Sequence, residues 1–338
     1  MNNKTILKIL KYIASLTFAI GIIYFLFKNQ DPAKLVEEIQ KVDGKWVFLS
    51  IIFGGLAYVI RGLRWIVLID ALGYQSTKIN SISAVSIGYF TNLFIPRAGE
   101  ISRCTALSQV EKIPVDKLIG TILIERIIDF IFLFGLLFLT IILKFNAISA
   151  FYSTLQLQQA NDNNNSLFLA LVVVIIGIVC LYFLKKWLKG SKSYEIISSF
   201  ISGLKEGVES IKHIKRKSVF WFHSFSIWIM YFLMTYICFF CMNETSHLTA
   251  GDGLFLLVLG GIGMVIPTPG GVGSYHAIVM IGLSVLGIGT IYLGEGGDPT
   301  NPALIFPTIV HIAQTVVAIV MGLLSLLILF ISKKHVKS

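Results

Sequence analysis

Six stretches of the chain, 12–27, 46–60, 118–143, 167–184, 219–242 and 302–331, carry almost no charge over roughly 15 to 30 residues each. At 1.5 Å per residue, about 20 apolar helical residues cross a ~30 Å hydrocarbon core, and the first two stretches reach that length with their flanks. No soluble fold of 338 residues hides this much apolar surface, because 55% of the residues are hydrophobic and only 14% charged, with a mean hydropathy of +0.80. The weak alternation of barrel strands is missing, so the spans are helices. The sequence therefore predicts an all-α, polytopic membrane protein.

Charge sets the expected orientation. Lys4, Lys8 and Lys11 precede the first span with no small-x-small cleavage site after it, which predicts a retained first helix. The C-terminal ISKKHVKS is also basic, and residues 185–217 hold nine Lys/Arg against three acids. By the positive-inside rule both termini and 185–217 are expected on the cytoplasmic side of the inner membrane. The +10 formal charge is thereby explained without a nucleic-acid partner. Within the basic loop, IISSFISGLKEGVESI is amphipathic and either lies on the anionic leaflet or packs on the bundle. The polar loop 150–166, without Lys or Arg, and NETSH at 243–247 are expected outside. The helix 46–60 then ends inward at Arg61 and Arg64.

With those faces fixed, 79–112 returns to the side it left, a re-entrant hairpin turning at IPRAGE. Residues 266–274, IPTPGGVGS, repeat the pattern of IPRAGEISR at 95–103: Ile-Pro, Gly three positions after the Pro, then Ile or Val two further on. The second set runs upside down to the first. Residues 46–143 thus read as one inverted repeat and 219–331 as the second, within a single transmembrane domain over 1–338. Six full spans plus two hairpins, or about eight spans, result. Interrupted helices meeting at the midplane are a transporter architecture.

The breaks also concentrate the chemistry. Backbone groups freed by a broken helix are tolerated only inside protein or beside a water-filled cavity. Gly99, and Gly270, Gly271 and Gly273, leave the backbone open to close approach, and a helix N-terminus after each break favours an anion such as a phosphate head group. In ILIERIIDF, Glu125 and Asp129 share a helix face with Arg126 about 100° round. Such charges cost ~2.5–3.5 kcal/mol each in a bilayer unless paired inside the bundle. Arg97, Arg103 and Arg126 balance Glu100, Glu125 and Asp129; Arg61 and Arg64 leave a surplus of two positive charges. The two are either interfacial anchors beside Trp65 or ligands of an anion. His276 and His311, the latter near Gln314, either contact that ligand or hydrogen-bond between helices. No zinc-protease, nucleophile-elbow or phosphate-loop motif occurs, so no metal or cofactor is expected. Cys104, Cys180, Cys238 and Cys241 read as packing residues, and Glu295 and Asp298 as solvated loop residues.

RGLRW at 61–65, NLFIPRAGEISR at 92–103, ILIERIID at 122–129 and IPTPGGVGSYHA at 266–277 together resemble the lysylphosphatidylglycerol synthase/flippase transmembrane family, over roughly 10–330. The resemblance implies a polytopic fold with re-entrant helices and movement of aminoacylated or other anionic lipids between leaflets. The soluble aminoacyl-transfer domain of the bifunctional members is not found here, so synthase activity is not expected. The sequence thus points to a lipid translocator or lipid-binding protein for an anionic phospholipid or lipid-linked head group. Arg61, Arg64, Arg97, Gly99, Arg103, Gly270, Gly271, Gly273 and His276 are the expected head-group residues, and Glu100, Glu125, Arg126 and Asp129 the expected buried ion network. The rival expectation is an enzyme acting on a polyprenyl-phosphate-linked or phospholipid substrate, with Glu125 or Asp129 as base.

Overall fold

The computed structural model describes residues 3–28, 30–160, 214–289 and 300–337. The expected span 167–184, nearly all of the loop 185–217, and GEGGDP at 294–299 lie outside them. The chain divides into two units, 1–144 with 214–338, and 145–213. Of the second, one helix is described, α7 (Phe145–Ala160); the stretch expected as a loop at 150–166 is helical as far as Ala160.

The first unit is all helix: α1 (Asn3–Phe27), α2 (Pro32–Lys41), α3 (Gly44–Ala71), α4 (Lys78–Phe94), α5 (Gly99–Glu111), α6 (Val115–Leu143), α8 (Lys217–Ile237), α9 (Ala250–Val265), α10 (Ser274–Val285) and α11 (Pro302–Lys337). Among the described residues there is no strand. Four helices, α3, α6, α8 with its 3₁₀ extension to Cys241, and α11, are long and apolar enough to cross a membrane. Their lipid-facing sides show it: Phe134, Phe138, Phe222 and Phe330 are exposed, as expected where hydrocarbon rather than water is the solvent.

Local chemistry sets the helix ends. Asp31 accepts the Ala33 and Lys34 N–H groups ahead of Pro32 at the start of α2, and Thr77 accepts the Asn80 N–H at 3.2 Å at the start of α4, each filling an orphan donor of the first turn. Helix α4 stops at Ile95 because Pro96 forces its predecessor out of the helical region, and Ile95 is extended at φ −124°, ψ 108°. Ile266 before Pro267 is likewise extended, at φ −67°, ψ 127°, and ends α9. Helix α3 does not end at residue 60. It runs unbroken to Ala71, so Arg61 and Arg64 sit inside it, 4% and 0% exposed, and Trp65 is fully buried rather than in an interfacial belt. The charges that lower the hydropathy at RGLRW are paired inside the protein.

Residues 44–143 and 217–337 share an order: long helix, helix, break, helix, long helix. Their packing is reciprocal. The leading helices α3 and α8 pack on each other, α4 packs on α11, and α6 packs on α9. The hairpin α4–α5 opens toward one end of the bundle, where Glu111 accepts from Asn80 Nδ2 and from the Thr77 N–H, both at 2.8 Å. Ser332 and Lys333 of α11 join it through Asn80 (3.1 Å) and Gln109 (2.9 Å), and Arg216 pairs with Asp70 there. The hairpin α9–α10 opens toward the other end, where Lys144 pairs with Asp252 at 2.6 Å and the Asp43 N–H donates to the Cys241 carbonyl at 3.1 Å.

Candidate functional site

The two breaks meet in the interior. Arg97 Nη2 donates to the Val265 carbonyl at 3.1 Å, and α4 packs on the Pro269–Gly271 turn. Arg97 has φ 63°, a left-handed conformation that few non-glycine residues adopt. Its position therefore depends on the turn around it. Asn92 Oδ1 holds that turn by accepting the Gly99 N–H at 2.8 Å. Gly99 is needed because α5 crosses α4 here: a Cβ at Gly99 would stand 2.7 Å from the Asn92 side-chain amide. At the second break Gly273 has φ 84° and its missing side chain lets α1 approach, a Cβ there lying 3.2 Å from the Ala19 carbonyl. Thr268 and Ser274 hydroxyls bond across the turn at 2.9 Å.

Next to the breaks lies a cavity of about 640 Å³. Arg61, Tyr89, Asn92, Arg97, Glu100, Arg126, Asp129 and Tyr231 form its polar wall, Phe130, Leu133, Leu257 and Met264 its apolar wall, and Thr268, Gly270, Gly271, Tyr275, His311, Gln314 and Thr315 its far side. All charged lining residues come from positions 61–129. Three arginines against two carboxylates leave the wall with one positive charge in excess.

The pairs are ordered. Asp129 takes two arginines, Arg61 at 2.9 Å and Arg64 at 2.8 Å, with Arg126 at 3.8 Å. Glu125, fully buried, pairs with Arg103, and Arg64 Nε lies 3.8 Å from it. Arg126 pairs with Glu100 at 2.9 Å, both about half exposed. Arg61 Nε donates to the Tyr231 hydroxyl at 2.7 Å, which lies 3.1 Å from that of Tyr89. The Arg103 guanidinium sits over Trp65, 4.7 Å from the ring, and Trp65 Nε1 donates to Thr121 at 2.7 Å. A carboxylate inside a bilayer is tolerable when enclosed this way. Among the described residues Arg97 makes no ion pair.

The expected site residues therefore fall into layers. Arg61, Arg97, Glu100, Arg126, Asp129, Gly270 and Gly271 reach the cavity wall. Arg64, Arg103 and Glu125 lie one layer behind it, turned toward one another. Gly99 sits at the α4–α5 crossing, and Gly273 and His276 lie behind the second break toward α1, where His276 packs its ring on Phe27 at 6.3 Å. Tyr89, Asn92, Tyr231 and Tyr275 were not singled out by sequence. The available signal was a polar side chain recurring inside otherwise apolar helices, which Tyr, common at membrane interfaces, does not mark clearly.

The sequence model of the lysylphosphatidylglycerol synthase TM region matches residues 12–322. A UPF0104 membrane protein of Methanocaldococcus jannaschii is 34% identical over 109 residues, 31% of this chain and 32% of that protein. A UPF0104 membrane protein of Methanothermobacter thermautotrophicus is 23% identical over 289 residues, 76% of this chain and 80% of that one. The chain thus spans about a third of the length of the first relative and four fifths of the second. No solved structure matches.

Proposed function

This chain belongs to the family of the lysylphosphatidylglycerol synthase transmembrane region, and on that footing we propose that it binds an anionic lipid head group in the cavity between its two breaks and carries it across the membrane. The observation that carries the proposal is Arg97: an arginine on the cavity wall, in a left-handed backbone conformation, with no carboxylate partner among the described residues. A phosphate there balances the wall's single excess charge, since guanidinium and phosphate match in geometry and charge. Arg61 and Arg126 flank it, already paired to Asp129 and Glu100. The apolar wall of α6 and α9 suits acyl chains. A cavity with one charged and one apolar side is what an amphiphile needs, whereas water-soluble anions need only the first.

The protein is a multi-pass membrane protein, and the proposal places it in the inner membrane with both termini cytoplasmic. The end bearing Lys78, Lys112, Lys117, Arg216, Lys217 and Lys333 is the cytoplasmic end by the positive-inside rule. The hairpins α4–α5 and α9–α10 are then re-entrant from opposite leaflets, the two halves forming an inverted repeat. Each leaflet thus has its own route to one central site, and alternation between two accessible states moves the head group.

Reconstitution tests this. Liposomes holding the full chain and a fluorescent phosphatidylglycerol are treated with an impermeant quencher, so that translocation reads as quenching beyond the outer-leaflet half. The wild type is expected to exceed half, and Arg97→Gln to remain at half with its fold intact. Quenching that stops at half for the wild type, or is equal in Arg97→Gln, contradicts the proposal.

A further inference from the structure

The two halves of the molecule contribute unequally to the cavity. Every charged lining residue lies between 61 and 129; the wall contributed by residues 228–318 contains no Asp, Glu, Lys or Arg. It presents imidazole, amide, hydroxyl and phenol groups: His311, Gln314, Thr315, Thr268 and Tyr275.

Among these, His311 stands out. It is 6% exposed, and neither ring nitrogen has a hydrogen-bond partner among the described residues. Its ring packs on those of Tyr275, at 5.4 Å, and His276, at 4.9 Å. Buried polar atoms in native proteins are nearly always bonded, and each orphan costs free energy until something satisfies it. No carboxylate pairs with His311 or His276 among the described residues. A neutral imidazole offers one donor and one acceptor. A phosphate, acceptor only, satisfies half of that. A hydroxyl, both donor and acceptor, satisfies either nitrogen, and the amide of Gln314 one turn along α11 offers the same pair of functions.

We infer that His311 and Gln314 form a second subsite, for the uncharged hydroxyl-bearing part of the head group, a glycerol or a sugar, while Arg97 holds its phosphate. The inference rests on the head-group reading above and specifies which head group the cavity selects. The charged half of the fold reads the phosphate; the neutral half reads the hydroxyls.

The test compares two lipids of equal charge, phosphatidylglycerol and phosphatidylmethanol, which share the phosphodiester and differ in hydroxyls. Each is titrated in mixed micelles against the purified full chain, reading the rise in thermal midpoint. Phosphatidylglycerol is expected to bind about five- to tenfold more tightly, the size of one to two neutral hydrogen bonds. His311→Phe keeps an aromatic ring and removes both nitrogens; it is expected to bring phosphatidylglycerol down to the phosphatidylmethanol affinity and leave the latter unchanged. His311→Asn, keeping a donor and an acceptor, is expected to restore part of the gap. Should His311→Phe fail to fold, Gln314→Met takes its place with the same expected loss. Phosphatidylinositol in a third arm separates a sugar-like from a glycerol-selective subsite. Equal affinity of the wild type for the two lipids, or a His311→Phe that weakens both alike, overturns the subsite. Arg97→Gln is expected to weaken both lipids and keep their ratio; if it weakens neither, the phosphate reading fails, whatever the ratio.

Discussion

Arg64, inside α3, and Arg97, in the turn between α4 and α5, differ in role though both are expected at the head group from the sequence. Arg64 is fully buried and bonded to Asp129 at 2.8 Å, so replacing it removes one of the two close arginines of that carboxylate and leaves it with Arg61 at 2.9 Å. Breaking a buried pair so that one charge is left alone typically costs ~3–5 kcal/mol. Glu125→Gln, which strands Arg103, is therefore expected to lower the stability of the lipid-free protein by about that amount in a denaturation series in micelles, and Arg64→Met to lower it by less, since Asp129 keeps Arg61. Arg97 is exposed to the cavity and bonds one backbone carbonyl, so Arg97→Gln should change lipid-free stability by only about 0.5 kcal/mol or less while reducing the stabilisation that added phosphatidylglycerol confers. A uniform loss of stability across all three variants would assign Arg97 to the structural network.

At the scale of the element, the breaks depend on close approach. Gly99→Ala must displace both the Gly88 carbonyl and the Asn92 side chain, and overpacking of this kind costs about 1–3 kcal/mol; Asn92→Ala removes the acceptor of the Gly99 N–H at about 1 kcal/mol. Faster hydrogen exchange confined to 78–111 in both variants is expected, and unchanged exchange there would show that the turn is held otherwise. The breaks were legible in sequence because Pro96, Gly99, Pro267 and the Gly270–Gly273 run act locally on φ and ψ, whatever surrounds them. The extent of α3 was not. RGLRW looks like a helix end by hydropathy, and only its partners, 61 to 68 residues away at Glu125 and Asp129, make a continued buried helix affordable. The layer order of the arginines was hidden for the same reason: charge counting found the surplus but not which residue holds it, since Arg103 and Arg97 lie six residues apart and face different partners.

Over the whole molecule, the reciprocal packing of α3 on α8, α4 on α11 and α6 on α9 follows an order of elements already visible in the spacing of the two Pro-Gly motifs. Which end faces the cytoplasm is a matter of charge, and it has its own check. With Cys104, Cys180, Cys238 and Cys241 replaced, a single cysteine at Glu244 is expected to react with an impermeant thiol reagent in intact cells, and one at Lys78 only after permeabilisation. The reverse pattern would invert the membrane orientation and with it the direction of each hairpin. The central claim, that the cavity at the breaks holds an anionic head group through Arg97, is tested most directly by native mass spectrometry of the full chain released from gently chosen detergent. The wild type is expected to carry anionic phospholipid adducts well above their share of the membrane, and Arg97→Gln, folded and equally abundant, to lose them. Adducts that mirror the bulk lipid composition, or that persist unchanged in Arg97→Gln, would contradict it.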